Sequence, residues 1–521
     1  MNDLNSAETR VKPRTGKSWL LLSLLVLVGS FFRFHMLGVR SLWPAECFSI
    51  LVARQPWPQF LRTMWWGEGN MAFYYVLLRA WLLLGDSEIW LQSLSAMFGV
   101  MAIPAIYALG SRFLSKNVGF IAAGLLAIHS FHVERSEVLR SYSLLTLIVI
   151  LSTYSFLAIL ESPRRKGLWV LYVLFSALAI YAQTFSVFLL AGQWLALLPL
   201  RIKSLGVLRL LAAGTAIGVL TSPLLAVMIL ENKGQLDWVP RLTPTSILNV
   251  FRGIVGADTL ALRSSLGSVL LLALYVVTWI FAVWALFLSE RREVDQPTTG
   301  AAVPVLGWTL AFPIVAMTAI SLVKPILYPR FLLMCVPAGV LLASQGLTTI
   351  EKHLTRGRLV SYAVLFLMIC LSLVGTHKLD TTLGKSGLDW REVTNHILSH
   401  REAGDAVIFY NFGGNWTWEY YVGRARRAGD NGPMPPTLFP LSFDRASIVS
   451  RTAPYKRVWL VLQQDIPTPQ SDANTALLVR TMQEQFLPVE EKVFAGVSMY
   501  PGESVDIHLT LYTAAAPRNS P

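Results

Sequence analysis

Glu46 lies in the stretch Ser-Leu-Trp-Pro-Ala-Glu-Cys-Phe-Ser (residues 41–49), just beyond the first long apolar run of the chain. Charge beside hydrocarbon is costly, so a carboxylate there is usually paired or functional. A second carboxylate, Glu68, follows with Asn70, among Trp43, Trp65, Trp66, Tyr74 and Tyr75, whose amphipathic rings suit a membrane-interface belt. Further along, Phe-His-Val-Glu-Arg-Ser-Glu-Val-Leu-Arg-Ser-Tyr (131–142) gathers His132, Glu134, Arg135, Glu137 and Arg140 ahead of Tyr142. That is more charge than a short turn needs, although mutual ion pairing at a wet interface accounts for it as readily as a site does. Lys324 and Arg330 flank Pro325 and Pro329, two cations that fit a lipid phosphate or that snorkel to headgroups. By type, these residues supply a carboxylate able to take a proton from a nucleophile, cations able to hold a phosphate, and an apolar setting for a hydrophobic carrier. Group transfer from a lipid-phosphate donor would use all three.

The elements that hold these groups follow from composition. The chain has 521 residues, 54% hydrophobic and 14% charged, with a mean hydropathy of +0.51. Those values exclude a soluble protein of ordinary composition and imply a polytopic membrane protein, mainly α. Apolar runs at 18–36, 88–110, 118–131, 141–160, 168–183, 185–200, 206–229, 264–289, 302–323, 330–346 and 359–376 predict about 11 transmembrane helices. The first follows a basic tail, but no small-residue cleavage site comes after it, so it is expected to be kept as a span. Ala72–Leu84 is too short to cross and contains Arg79, which places it in the interface. Lys and Arg are densest in alternate loops. This puts the tail (1–17) in the cytoplasm and assigns the net charge of +13 to membrane topology rather than to nucleic acid. The outer side then receives the first loop (37–87), segments 131–140 and 230–263, and the turn 324–329.

Beyond the membrane-embedded domain (18–376), residues 377–521 change character. They predict a small α/β domain on the outer face, with a helix over Leu388–Arg401 and strands over Asp405–Tyr410, Arg457–Leu462 and Val505–Tyr512. Cys47, Cys335 and Cys370 lie far apart and give neither a disulfide framework nor metal-ligand spacing. No metal and no cofactor is expected.

Several stretches also resemble a known family. Arg33-Phe-His-Met-Leu-Gly38 and Ser-Leu-Trp-Pro-Ala-Glu46 come first, then Asn70-Met-Ala-Phe-Tyr-Tyr75, Gly85-Asp-Ser-Glu88 and Ile106-Tyr-Ala-Leu-Gly110. Phe131-His-Val to Arg140-Ser-Tyr142, Tyr328-Pro-Arg-Phe331, Leu388-Asp-Trp-Arg391 and Gly404-Asp405 follow. In order and topology these are similar to bacterial GT-C membrane glycosyltransferases of the protein-mannosyltransferase-like group, family 39. The resemblance implies a hexosyltransferase of the inner (plasma) membrane. It would move a sugar from a polyprenyl-phosphate donor to a protein, lipid or polysaccharide acceptor at the outer face, with inversion by direct displacement. It further implies Glu46, or Glu68, as the catalytic carboxylate, and a substrate site drawn from Arg33, Trp43, Asn70, Tyr74, Tyr75, His132, Glu137, Arg140, Tyr142, Lys324 and Arg330.

The chain also departs from the family's pattern. The family's Asp-Glu pair reads Ala45-Glu46, its Gln-Glu-Ala-Arg reads Glu137-Val-Leu-Arg140, and its Pro-rich entry to the Tyr pair reads Met71-Ala72. An alanine accepts no proton. The alternative is therefore a non-catalytic relative that binds lipid-linked sugar. A transporter fits less well, because the spans hold few charges and show no paired, interrupted helices in matching halves.

Overall fold

A computed structural model describes residues 15–200, 206–230, 236–257, 265–289, 299–385, 389–410, 413–438, 444–463, 469–495 and 506–514. Most of the basic tail (1–14), parts of the 230–263 loop, Leu388 and the Trp66 side chain lie outside them. Each of the predicted apolar runs overlies a helix. Among the described residues eight helices are long and apolar enough to cross a membrane: Lys17–Phe34, Glu88–Phe113, Tyr142–Glu161, Val207–Ala226, Leu266–Leu286, Gly300–Ser321, Pro329–His353 and Gly357–Asp380. Three shorter apolar helices, Lys116–Ala127, Lys166–Ala182 and Ser186–Leu195, account for the remaining runs. The chain is an integral membrane protein.

Side-chain size decides which helices come close. Tyr142–Glu161 and Pro329–His353 are largely enclosed by others, whereas Val207–Ala226 and Leu266–Leu286 turn most of their apolar side chains outward, as lipid-facing helices do. Gly346 lets Val336–His353 lie against Leu266–Ser289, since a Cβ there would come within 1.8 Å of the Thr278 carbonyl oxygen. The run predicted to end at 376 is longer. Its helix, Gly357–Lys385, continues beyond 376 with His377, Lys378 and Asp380, polar residues that an apolar count leaves out.

Residues 37–87 fold as short helices rather than open loop. Pro44–Arg54, Trp57–Thr63 and Ala72–Trp81 are joined by a π turn at Met64–Glu68 and a 3-10 turn at Gly69–Met71. Ala72–Trp81 has 10 residues, short of a crossing. Its end is locked to the next span by stacked Trp81 and Trp90, whose ring centroids are 4.5 Å apart and whose indoles each donate to the other's carbonyl. Gly85 leaves room for that stack, since a Cβ there would come within 2.7 Å of the Trp90 ring.

The C-terminal segment carries a four-stranded sheet, β1 (Asp405–Tyr410), β2 (Arg457–Leu462), β3 (Phe486–Phe494) and β4 (Ile507–Ala514), in the order β1-β2-β4-β3. β1 and β2 are parallel, and the other pairs are antiparallel. The predicted helix is Trp390–His400, capped by the Asp389 carboxylate on the Glu392 N–H at 3.0 Å. β3 escapes sequence patterning because its charges and Pro488 belong to an edge strand, with an irregularity between Pro488 and Glu490.

Candidate active site

The Pro44–Arg54 helix begins with Trp43 as N-cap and Pro44 pre-set for the first turn. Glu46, at the third position, folds back to accept the Trp43 N–H at 2.9 Å through Oε2. Oε2 also accepts Arg40 Nη1 at 2.7 Å, while Oε1 accepts Arg40 Nη2 at 3.2 Å and the Leu139 N–H at 2.8 Å. Four donors thus occupy the two oxygens of a fully buried carboxylate. Glu46, expected as a proton acceptor, joins the first loop to the segment before Arg140, with four donors already on its two oxygens.

Glu68 is placed differently. It ends the π turn, is partly exposed, and takes one hydrogen bond, from Tyr75 OH to Oε2 at 3.1 Å. Burial pushes its carboxyl above the usual range, opposed by the Arg140 charge and the Tyr75 hydrogen bond. Arg140 stands behind Tyr75. Its Nη1 lies 3.5 Å from Tyr75 OH, 3.1 Å from Ser49 Oγ and 3.3 Å from the Ala45 carbonyl oxygen. Arg140 also hydrogen-bonds the Tyr142 side chain, which lies within the electrostatic reach of Arg330 and Arg135. The Arg330 guanidinium packs over the Trp238 ring at 4.3 Å and keeps a buried Nε–H without a partner. Glu68, Tyr75, Arg140, Tyr142 and Arg330 therefore form one group drawn from three segments of the chain.

Most of the other predicted residues are enclosed by the fold. Tyr74 and Tyr75, expected in an interfacial belt, are fully buried; Tyr74 OH meets Ser95 Oγ at 2.7 Å, and Ser95 Oγ in turn donates to the Arg140 carbonyl at 3.1 Å. Among the described residues the exposed aromatics of the loop are Trp57 and Trp65, with Leu61 between them at helical spacing. Asn70 Oδ1 accepts the Thr184 N–H and hydroxyl at 3.0 and 2.9 Å, tying the loop to the turn after Lys166–Ala182. Arg33 is enclosed, donating to the Gly29, Leu126 and Ala127 carbonyls and to His132 Nδ1, each at 2.9 Å. Arg33 and His132 are thus brought to each other rather than to Glu68. Burial, with the Arg33 charge beside it, drives the His132 imidazole well below its usual range, so it stays neutral. The Glu137 carboxyl is held well above its usual range by burial, aided by Asp380 and Glu134 against Arg40. Lys324 is exposed on the turn ahead of Arg330.

Sequence reasoning passed over Arg40, and it named Arg135 and Glu88 only within their stretches, without placing them in the site. Arg135 pairs with Glu134 at 3.0 Å and lies 5.2 Å from the Phe131 ring centroid. Arg40 had a signal, a lone cation six residues before a carboxylate in an apolar setting, but nothing in the spacing says that the two would meet face to face.

No protein-family model matches the chain, and no curated protein matches it in sequence. Solved structures do match it in shape. ArnT from Cupriavidus metallidurans bound to undecaprenyl phosphate aligns with a TM-score of 0.54 at 12% identity, covering 98% of this chain and 100% of that one. The Archaeoglobus fulgidus oligosaccharyltransferase tethered with an acceptor peptide containing the NVT sequon gives 0.52 at 10% identity, over 97% and 75%. Archaeal oligosaccharyltransferase AglB from Archaeoglobus fulgidus, in complex with an inhibitory peptide and a dolichol-phosphate, gives 0.51 at 12% identity, over 97% and 75%. At these identities the likeness is one of architecture: the chain has the GT-C fold of membrane glycosyl- and oligosaccharyltransferases.

Proposed function

We propose that this protein transfers a sugar from a polyprenyl-phosphate donor to an acceptor at the outer face of the plasma membrane, as a relative of the protein-mannosyltransferase-like group. The observation that carries the reading is the meeting of an accessible carboxylate with two arginines: Tyr75 OH bridges Glu68 and Arg140, and Tyr142 links Arg140 to the field of Arg330. In the reaction, the acceptor O–H gives its proton to Glu68 as its oxygen bonds to the anomeric carbon. The bond from that carbon to the phosphate oxygen breaks on the opposite face, which inverts the configuration. The charge returning to the polyprenyl phosphate falls to Arg140 and Arg330, planar forks suited to phosphate. Undecaprenyl phosphate and dolichol-phosphate in structures of the same fold support a donor of this class.

The exposed apolar face of Val207–Leu230, with Leu208, Leu211 and Val219, gives the prenyl chain a surface to lie along. The same helix reaches the site loop, where a Cβ on Gly69 would come within 2.6 Å of Leu224. With eleven spans and the amino terminus inside, residues 377–521 share the outer side with loop 37–87. The test is transfer in proteoliposomes supplied with polyprenyl-phosphate sugars. Glu68→Gln is expected to lose activity while the chain keeps its fold, and undiminished transfer would remove Glu68 from the catalytic role.

Ala45 favours a second reading. Its methyl takes no proton, and Arg140 meets only neutral acceptors there, the Ala45 carbonyl and Ser49. A chain that binds lipid-linked sugar without turning it over would show no transfer until Ala45→Asp restored it.

A further inference from the structure

We propose that the C-terminal domain positions the donor side of the site and that Glu88 is the residue through which it does so; this rests on the function proposed above. Glu88 opens the Glu88–Phe113 span and is nearly buried. Two arginines from two different helices of the C-terminal domain converge on it: Arg391 Nη2 at 2.7 Å from Oε2, and Arg424 on Oε1. The same Arg391 nitrogen reaches the Gly38 and Arg40 carbonyls at 3.2 and 3.0 Å. Beside it, the Trp390 N–H donates to Ser41 Oγ at 3.1 Å, and the Leu42 N–H donates to Tyr421 OH at 2.9 Å. Phe48 and Trp416 pack with ring centroids 4.6 Å apart, and a Cβ on Gly413 would come within 2.6 Å of Pro44. The domain therefore grips the backbone that leads into Pro44–Arg54 and the first turns of that helix.

The adjacent face of the helix, Ala45 and Ser49, carries the site. Arg40, with its carbonyl held by Arg391, spans Glu46 with both terminal nitrogens, and Glu46 holds the Leu139 N–H, one residue before Arg140. Arg140 Nη1 then rests on Ala45 and Ser49 of the helix itself. From Glu88 to Arg140 the contacts run without a gap, through charge-assisted hydrogen bonds and one rigid helix. Glu88 touches no reacting group, so its role is positioning. A shift at Gly38–Leu42 would move both the backbone before Arg140 and the shelf on which its guanidinium sits.

The test uses the full chain in nanodiscs with Glu88→Gln, Arg391→Gln and Arg424→Gln, read by hydrogen exchange over residues 38–54 and 137–141 and by sugar transfer from a polyprenyl-phosphate donor. Glu88→Gln and Arg391→Gln are expected to speed exchange in both stretches and to lower transfer about tenfold, the scale of a small misplacement of a reacting pair. Arg424→Gln is expected to do less, because Arg424 reaches only the carboxylate. In an Arg140→Gln background, Glu88→Gln should cost less than about twofold, since both changes act on one group. Exchange at 137–141 unchanged in both Glu88→Gln and Arg391→Gln, or a full tenfold loss on top of Arg140→Gln, would overturn the proposal. Should Glu88→Gln fail to fold, Arg391→Gln keeps the Glu88–Arg424 pair and carries the same readout. A wild-type chain without transfer, but with faster 137–141 exchange in Arg391→Gln, would sink the proposed function and still support the coupling.

Discussion

Glu46 and Glu68 belong to one loop of short helices and face opposite fates. Glu46 is fully buried with four donors on its two oxygens, whereas Glu68 is half-open with one. Burial alone would point to Glu46 as the reactive group. What separates them is how many lone pairs the fold has already used, because a carboxylate with every acceptor direction filled must break a hydrogen bond before it takes a proton. The two arginines differ in the same way. Arg40 is spent on Glu46, while Arg140 leans on neutral oxygens and Arg330 keeps a free N–H, the condition expected of cations that await an anion.

The largest expected effect breaks the comparison at Glu68. Glu68→Gln should lower transfer by about 10²–10⁴-fold, the usual contribution of a general base, with little change in thermal stability. Because burial raises the Glu68 carboxyl, the acidic limb of the pH–rate profile should lie above the ordinary carboxylate value of 4.5, with activity rising as the group deprotonates. That limb should vanish in the residual activity of Glu68→Gln. A limb that survives would assign it to another group.

Next comes the partner that the fold has consumed. Glu46→Ala strands Arg40 in a buried site and should cost about 3–5 kcal/mol in an equilibrium denaturation. Replacing both members, Arg40→Met with Glu46→Leu, should recover much of that loss. If Glu46→Ala instead leaves stability intact and abolishes turnover, the contrast between the two carboxylates is inverted.

The sequence was most legible where a single period or composition decides the outcome. Apolar runs gave the helices, and the short continuous apolar stretches Ala406–Phe409 and Val458–Val461 gave the two parallel strands, β1 and β2. The candidate site was legible as a neighbourhood: the segments around Glu46, Arg140 and Arg330 do converge. The allocation of partners was not. Whether Arg40 meets Glu46, or Arg33 meets His132 across 99 positions of chain, depends on the packing angles of helices, and spacing carries no record of those. Tyr74 and Tyr75 read as interfacial because their type is amphipathic, yet the turn at Gly69–Met71 rotates both inward.

A third way to sharpen the comparison uses a histidine that the fold has also spent. His129 donates from Nε2 to the Ile254 carbonyl at 3.0 Å and accepts the His132 N–H on Nδ1 at 3.2 Å, so both ring nitrogens are occupied in the neutral form. Burial lowers its pKa from 6.5 to about 4. The unfolded chain then binds the extra proton first as pH falls. The stability that His129 contributes is fully present above pH 6.5 and drains away toward pH 4, at up to about 1.4 kcal/mol per pH unit. Melting temperatures across that window should fall in the wild type and fall less steeply in His129→Asn, which titrates nowhere in it.

The smallest effect isolates exposure from pairing. Asp86, two residues before Glu88, also binds two arginines, Arg54 and Arg427, the latter at 2.9 Å. Here the Asp86 and Arg427 side chains are 38% and 45% exposed, against 5% for Glu88, so water and salt compete for the same charges. Removing Arg427 with Arg427→Ala should cost no more than about 1 kcal/mol, and less as ionic strength rises. The two carboxylates have the same number of cationic partners, so a clear excess of Glu88→Gln over Asp86→Asn in denaturation midpoint would assign the difference to burial. Equal losses would mean that the whole acidic corner, rather than Glu88 within it, holds the C-terminal domain to the first loop.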